Sequence, residues 1–318
     1  MNNRTLLTKA AVDTSALTNG GKLNPEQSNQ FITFMRDYSA FLSRVDMVTM
    51  NAPQRQLEYL DVNKRAMRTQ LENQNNVPVG EIETKKRMLT AKGVVMPYDI
   101  TFQFMKENIE KVDVNTTLAR MFAQQFANDT VDLAFNGDEA SSGASDSDFL
   151  KINNGWIKIL SSDSGTHKHD STTAEPSNGD KDMITIFDKI LGEMPSQYFQ
   201  MYQQEDKSQL KIFVSHAENR RYKNQLVERN TVLGDSMLIN GANVNYDGFE
   251  IVPVGFIPDG IRILSAYKNF AYGIYGQSIQ VYHEVKPRYT RHEYTLLADF
   301  DFEMHNPDAV VLSKKGLS

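Results

Sequence analysis

Residues 54–92 read QRQLEYLDVNKRAMRTQLENQNNVPVGEIETKKRMLTAK, with eight basic and five acidic side chains. Apolar residues such as Leu57 and Tyr59 are scattered and often alternate with polar ones, a pattern that predicts extended strands. The polar run 73–76, followed by 78–80 (PVG), predicts the turn between two such strands. Connections this long are uncommon inside a compact domain. We therefore expect a long charged hairpin that lies on a neighbouring copy of the same chain.

Composition sets the broad class. The 318 residues can form one large domain or two smaller ones, and 17 Phe and 13 Tyr are ample for a core. A net charge of -6 argues against a dedicated nucleic-acid binder. The absence of cysteine excludes disulfides, thiolate zinc sites and cysteine nucleophiles. Because the sequence has no apolar run of about 18 residues and no signal peptide at its start, we expect a soluble intracellular protein without a membrane partner.

Two helices are predicted on either side of the hairpin. The polar segment 1–23 reads as an arm, and a helix capped by Asn24 follows it and continues to Val45. Residues 94–104 are strand-like, and a short helix is expected over 105–112. A long helix is expected over 115–136, stopped by a glycine at 137. Its expected buried stripe consists of Leu118, Met121, Phe122, Phe126 and Leu133.

The second half of the chain mixes helices and strands. Residues 161–182 have one apolar side chain and are expected to form an exposed loop or a disordered insert. A helix over 183–194 precedes a buried strand at 210–214, and Ser215 with Glu218 forms a capping box that opens the next helix. Strands are expected at 249–254, 261–265, 270–275, 279–285, 289–302 and 309–312. Since no regular βαβ repeat is present, the fold class is α+β.

This order of elements resembles the major capsid proteins of tailed bacteriophages, which share the Hong Kong 97 capsid fold. The segments 41–48 (FLSRVDMV), 98–104 (YDITFQF) and 133–137 (LAFNG) look like the corresponding parts of capsid proteins of the phage P-two type. Segment 41–48 resembles the end of the N-terminal helix. Segment 98–104 resembles the strand that returns from the hairpin arm, and 133–137 resembles the end of the spine helix. The resemblance covers nearly the whole chain and depends on architecture more than on any one motif.

The resemblance implies a domain organisation and a function. Residues 1–53 would be the N-terminal arm, 54–92 the extended E-loop, 93–182 with 276–318 the P-domain with its spine helix, and 183–275 the axial A-domain. The chain would self-assemble, as hexamers and pentamers, into an icosahedral shell around a double-stranded DNA genome. It would be assembled in the host cytoplasm and reside in the virion capsid. Scaffolding, portal and decoration proteins would be its partners, and packaged DNA would lie nearby without specific contacts. No catalytic residue, cofactor or metal is expected.

The charged hairpin is where we expect contacts between subunits. Some members of the resembled family crosslink a lysine of this loop to a neighbour; no motif singles out Lys64, Lys85 or Lys92, and we expect no crosslink. The residues that we expect to contact neighbouring copies are Lys64, Arg65, Arg68, Glu81, Glu83, Lys85, Lys86 and Arg87.

Two other functions stay open at this point. An encapsulin-like shell that holds an enzyme cargo would share the capsid fold. The block Gly234–Asp235–Ser236, with His305 downstream of Asp299 and Asp301, is similar to the nucleophile block of GDS-type serine hydrolases. However, its position in the chain and the spacing from Asp301 to His305 depart from that family, so a turn is the favoured interpretation.

Three further motifs have a functional and a simpler interpretation. The segment 167–170 (HKHD) could hold a metal ion, but a solvated loop is favoured. Residues 146–148 (DSD) lack the glycine and the distal glutamate of a calcium loop. The segment 289–294, with Arg288, interleaves basic and aromatic residues as single-stranded nucleic-acid sites do. Because such side chains alternate faces on a strand, a surface between subunits or on the inside of a shell is favoured there.

Overall fold

The structure is a computed structural model that describes residues 21–22, 33, 39–61, 83–107, 114–143, 146–171, 183–203, 209–228 and 244–316. Its strands are β1 (Gly21–Lys22), β2 (Asp46–Met50), β3 (Gln54–Asp61), β4 (Glu83–Thr90), β5 (Lys92–Thr101), β6 (His167–Asp170), β7 (Leu210–Val214), β8 (Asn245–Tyr246), β9 (Phe249–Pro253), β10 (Ile261–Ala266), β11 (Phe270–Tyr275), β12 (Gln280–Lys286), β13 (Arg291–Met304) and β14 (Val311–Lys314). Its helices are α1 (Phe102–Glu107), α2 (Val114–Asn136), α3 (Ser147–Leu150), α4 (Trp156–Ser162), α5 (Met183–Glu193), α6 (Ser196–Gln203) and α7 (His216–Glu228). Helices and strands are mixed along the chain, which confirms the α+β class.

The long strand β13 organises the first sheet. It pairs antiparallel with β5 and β12 in its first part and with β11 in its second, and β2 joins β11 in parallel. From Leu296 to Met304 every second side chain of β13 is buried. This alternation places apolar residues on one face and leaves the acidic residues of the same strand on the other.

The core of the first sheet is built around Trp156 at the start of α4. Its side chain is fully buried, and its Nε1 donates a hydrogen bond to the backbone oxygen of Glu303, 3.1 Å away. The Phe41 ring lies 5.8 Å from the Trp156 ring and 5.1 Å from that of Phe135. Aromatic contacts of this kind contribute about 0.5–1.5 kcal/mol each beyond burial. The chain segment that leads into the hairpin is therefore fixed to the body by Phe41.

The second sheet has the order β6-β14-β10-β7-β9-β8. All residues of β7 and β10 are buried, as expected of central strands covered on both faces. Helix α5 packs Ile186, Phe187 and Ile190 into the core of this sheet. Strands from 167–170 and 311–314 thus share one sheet with strands from 210–266.

Several sequence predictions are confirmed. The long helix is present as α2. Half of the predicted capping box is present, since the Ser215 hydroxyl caps α7 by accepting a hydrogen bond from the Glu218 backbone N–H at 3.2 Å, whereas the Glu218 carboxylate binds Gly260 N and Arg262 instead of the Ser215 N–H. Strands β3 and β4 pair antiparallel from Gln54 with Thr90 to Asp61 with Glu83, so the hairpin is confirmed over these residues. Its expected turn at 73–80 lies outside the described residues.

Other predictions were wrong in detail. Met121 was expected in the buried stripe of α2 but is 60% exposed, because the buried face follows Ala123, Phe126 and Ala127. Phe102 begins a helix instead of extending the strand, since the Thr101 hydroxyl accepts a hydrogen bond from the Phe104 N–H at 3.3 Å and caps the first turn.

The end of the predicted helix 24–45 and part of the predicted loop 161–182 also need correction. The predicted helix 24–45 lies mostly outside the described residues, and 40–44 form a turn in which Ser43 N donates to Ser39 O at 3.0 Å. The predicted loop 161–182 contains β6, which pairs in parallel with β14. Backbone hydrogen bonds hold β6 in the sheet. Because its side chains are polar, the sequence shows no hydrophobic alternation that would predict a strand there.

Candidate functional site at the hairpin root

The hairpin root, which we define as β3 and β4, presents two different faces. On β4 the side chains of Lys85 and Arg87 are partly buried and Leu89 is fully buried. Lys86 and Met88 alternate with these residues along the strand and are exposed, Met88 to 52%. Because strand side chains alternate faces, every second basic residue of the root is directed at the body of its own chain.

Two ion pairs connect the inner face to the body. The Lys85 Nζ contacts the Asp308 carboxylate, and the Arg87 guanidinium contacts the Asp163 carboxylate. Asp163 follows the last residue of α4, and Asp308 lies in the turn between β13 and β14. Partly exposed pairs of this kind contribute about 0–1 kcal/mol each. They connect β4 to the turn before β14 and to the end of α4.

A small apolar cluster lies under the root. Leu57 of β3 and Leu89 of β4 pack with Val48, Met50 and Ala271 of the first sheet. The neighbouring Gly273 leaves room for this contact, since a Cβ there would lie 2.8 Å from the Leu89 Cδ1. The root is thus positioned both by ion pairs and by apolar packing.

A row of carboxylates on β13 faces the base of the hairpin. The Asp301 Oδ2 accepts a hydrogen bond at 2.7 Å from the backbone N–H of Thr90, the last residue of β4, and its Oδ1 accepts one from Phe302 N at 2.8 Å. Burial raises the pKa of Asp301 to about 6. Burial also raises the pKa values of Asp299 and Glu303, which lie on the same face. We therefore expect the protonation of Asp301 to affect the contact between β4 and β13.

The raised pKa of Asp301 gives a testable pH dependence. Between the ordinary value of 3.8 and about 6, the folded chain binds a proton that the unfolded chain does not, so stability is lost as pH rises through that window. We expect the free energy of unfolding of wild type, relative to Asp301→Asn, to increase by roughly 1–2 kcal/mol from pH 7 to pH 4.5. Urea denaturation at both pH values measures this difference, and parallel pH profiles for the two proteins would contradict it.

The other residues predicted for subunit contacts are placed only in part. Glu83 begins β4 and only its backbone is described, and Lys86 is exposed on the outer face. Lys64, Arg65, Arg68 and Glu81 lie outside the described residues. Sequence reasoning missed Asp163 and Asp308, which are 76 and 223 residues away from their basic partners, because no local pattern reports such distant pairs.

The remaining candidate motifs have structural roles where they are described. His305, which follows the last residue of β13, has its Nε2 2.8 Å from the Asp46 Oδ2 of β2. The block 234–236 lies outside the described residues. His169 is buried on β6 with its Nδ1 3.1 Å from the Ser313 Oγ, and burial lowers its pKa. Among the described residues no group of three or more His, Asp or Glu side chains is arranged to hold a metal ion, and no helix is long and apolar enough to cross a membrane.

The basic and aromatic residues of 289–294 are engaged within the chain. Arg291 Nη1 lies 2.9 Å from the Asp99 Oδ2, and its Nη2 lies 2.6 Å from the Glu293 Oε1. The Tyr294 ring stacks between those of Tyr98 and His283, with centroids at 5.1 and 4.4 Å. Arg291 therefore has carboxylate partners beside it and Tyr294 has ring partners, an arrangement that favours a structural role for this segment over stacking with nucleic-acid bases.

Comparisons with known proteins agree with this architecture. No family model matches the sequence. Over 247 residues the chain is 24% identical to a protein of Bacillus subtilis (strain 168) named as prophage capsid protein YqbE, a match that covers 76% of this chain and 72% of that protein. A chain of the satellite phage P4 procapsid, which includes the size determination (Sid) protein, superposes with a TM-score of 0.66 at 15% identity over 91% of this chain and 99% of that one.

The chain has the fold of phage capsid proteins. The capsid of the native GTA particle gives the same fold with a TM-score of 0.61 and 10% identity, over 87% of this chain and 90% of the other. Microbacterium phage Oxtober96 matches with a TM-score of 0.52 and 11% identity, over 87% and 91% of the two chains. The capsid fold expected from the order of elements is thus confirmed.

Proposed function

We propose that the chain is a major capsid protein that self-assembles into the shell of a tailed phage or prophage. The capsid fold and the similarity to the named prophage capsid protein support a structural role in a virion shell. The observation that carries the proposal is the hairpin root, an antiparallel pair of charged strands held on the body by two ion pairs, with the sequence 62–82 between its two strands.

The two faces of the root suggest how neighbours are bound. Lys85 and Arg87 are paired with carboxylates of their own chain, whereas Lys86 and Met88 are exposed on the outer face. The outer face, together with the part of the hairpin beyond Asp61, is the surface that we assign to the neighbouring copy. Each contact is weak alone, but many repeated copies make a shell stable while errors in assembly can still be corrected.

The finer features of the shell belong to the same proposal. We infer hexamers and pentamers, assembly in the host cytoplasm, and scaffolding, portal and decoration partners, with DNA enclosed by contacts that do not read its sequence. Division of the chain into the arm (1–53), E-loop (54–92), P-domain (93–182 and 276–318) and A-domain (183–275) is part of the same proposal.

Shortening the hairpin tests the proposal. Because Asp61 is paired with Glu83, residues 62–82 can be replaced by Asn-Gly, a two-residue turn that suits this antiparallel register. We expect the shortened chain to remain folded, with unchanged circular dichroism, and to elute from size exclusion as a monomer where the intact chain elutes as assemblies.

A point substitution gives a milder version with a matched control. Lys86→Glu reverses a charge on the outer face of the root and is expected to weaken assembly without affecting folding. Lys151→Glu makes the same change at an exposed position after α3 and is expected to have little effect. Assembly of the shortened chain at the level of the intact chain would overturn the role assigned to the hairpin.

A further inference from the structure

Strands β11 and β12 follow each other along β13, and the chain bulges out between them. The last pair that β11 makes with β13 and the first pair that β12 makes leave residues 275–279 opposite only 298 and 299. Extra residues of this kind redirect side chains and often lie beside functional sites. The Ser278 Oγ accepts a hydrogen bond from the Asp299 N–H at 2.8 Å, so the bulge is attached to β13 at this point.

The bulge, β13 and β5 surround an open pocket of about 440 Å³. The Asp299 side chain lines this pocket, and Gly93, its partner on β5, has no side chain that could cover the carboxylate. Val95 also lines the pocket and is 61% exposed. Because 93 and 95 lie on the same face of β5, an acidic group and an exposed apolar group lie side by side at the pocket.

The Asp299 carboxylate differs from the other two carboxylates of its row on β13. Asp301 accepts two backbone hydrogen bonds and Glu303 accepts one, whereas no described residue donates to the Asp299 carboxylate. Burial raises the pKa of Asp299, and no positive charge nearby counteracts this rise. A carboxylate that loses water without gaining a partner is destabilised in its charged form. A cation supplied by another molecule would remove this cost.

Two side chains on the outer face of the hairpin root match this arrangement. Lys86 and Met88 are exposed and two residues apart on β4, so they share a face and are separated by about 7 Å. Asp299 and Val95 are diagonal neighbours on β13 and β5, and such residues are about 7–8 Å apart. Among the described residues Lys86 has no ion pair, not even with Glu58 directly opposite it on β3. The two surfaces are therefore complementary in charge and in spacing.

We propose that this pocket binds the hairpin root of a neighbouring copy, with the neighbour's Lys86 on Asp299 and the neighbour's Met88 on Val95. The occupant is a second copy because in its own chain the outer face of the root is directed away from the body. Pocket and root are different surfaces of one chain, so the contact is head-to-tail and can close into rings. This docking rests on the proposed shell function and names the surface that receives the hairpin root.

Exchange of the two charges tests the ion pair. Lys86→Glu and Asp299→Lys should each lower the assembled fraction several-fold on size exclusion, because each brings like charges together. The two substitutions combined should restore most of the assembly. The matched control combines Lys86→Glu with Asp148→Lys, which keeps the same net charge but places the new lysine at an exposed position of α3. It should assemble no better than Lys86→Glu alone.

Crosslinking tests the apolar half of the contact. The chain contains no cysteine, and Met88 and Val95 are both exposed, so Met88→Cys with Val95→Cys leaves the core unchanged. Sheets that pack face to face are about 10 Å apart, too far for a disulfide but within reach of a short bismaleimide. We expect a ladder of linked chains on a denaturing gel of the assembled material. Met88→Cys with Val285→Cys, an exposed position on the opposite face of the first sheet, should link several-fold less.

The outcomes separate this docking from the proposed function. A wild-type chain that never assembles would overturn both. Where the wild type assembles, equal linking of the two cysteine pairs, or a linked product with the mobility of a monomer, would overturn the docking alone. So would an exchange variant that assembles no better than its control. The cysteine variants alter only exposed side chains, so their result decides the matter if Asp299→Lys impairs folding.

Discussion

Replacement of Gly137 by alanine is expected to destabilise the chain by about 3 kcal/mol or more, because the new Cβ would collide with backbone rather than with side chains. That Cβ would overlap the Asn153 backbone oxygen and lie 2.7 Å from the Leu133 oxygen. Gly155 faces Gly137 closely and donates its backbone N–H to the Gly137 oxygen at 2.8 Å. Relief of the collision must displace Gly155 and with it the buried Trp156.

Gly192→Ala provides the matched control. Gly192 lies in α5, and apart from its chain neighbours and the backbone of its own helix no described atom lies within 4 Å of the position that an alanine methyl would take. Alanine there should therefore stabilise the chain by roughly 0.5–1 kcal/mol. Urea denaturation of the unassembled chain, followed by fluorescence of the single tryptophan, measures both effects. Equal stabilities of the two variants would contradict the close contact between Gly137 and Gly155.

Removal of Arg262 is expected to have a comparably large effect, a loss of about 3–5 kcal/mol, because it leaves a buried carboxylate without its charged partner. The side chains of Glu218 and Arg262 are 0% and 2% exposed, and the Arg262 guanidinium contacts the Glu218 Oε1. The same oxygen accepts a hydrogen bond from Gly260 N at 3.1 Å. Burial raises the pKa of Glu218, while the charge of Arg262 opposes that shift.

A double substitution separates this charge effect from lost packing. Arg262→Met should show the full loss, and addition of Glu218→Gln should recover most of it, because glutamine is neutral and still accepts the Gly260 N–H. The same denaturation experiment measures all variants. A double variant as unstable as Arg262→Met alone would show that packing, rather than the unpaired charge, causes the loss.

Local sequence patterns predicted the elements that local physics determines. The presence of α2 and the Ser215 hydroxyl cap of α7 depend only on neighbouring residues, and both are confirmed. Alternation along 54–61 and 83–90 was enough to predict a hairpin there. The capsid fold followed from the order of these elements.

Features that depend on distant residues were not predictable in this way. The partners of Lys85 and Arg87 became visible only when the fold brought Asp308 and Asp163 to the hairpin root. β6 was missed because its polar residues join a sheet through the backbone. Met121 was assigned to the wrong face because helical spacing alone does not determine which of several neighbouring apolar residues face the core.

The most direct test of the central claim is negative-stain electron microscopy of the intact chain, expressed alone, beside the chain in which 62–82 are replaced by Asn-Gly. The account predicts closed shells, or hexameric and pentameric rings, for the intact chain and isolated monomers for the shortened one. An intact chain that stays monomeric at every concentration, or a shortened chain that forms the same shells, would contradict the claim that the hairpin assembles this protein.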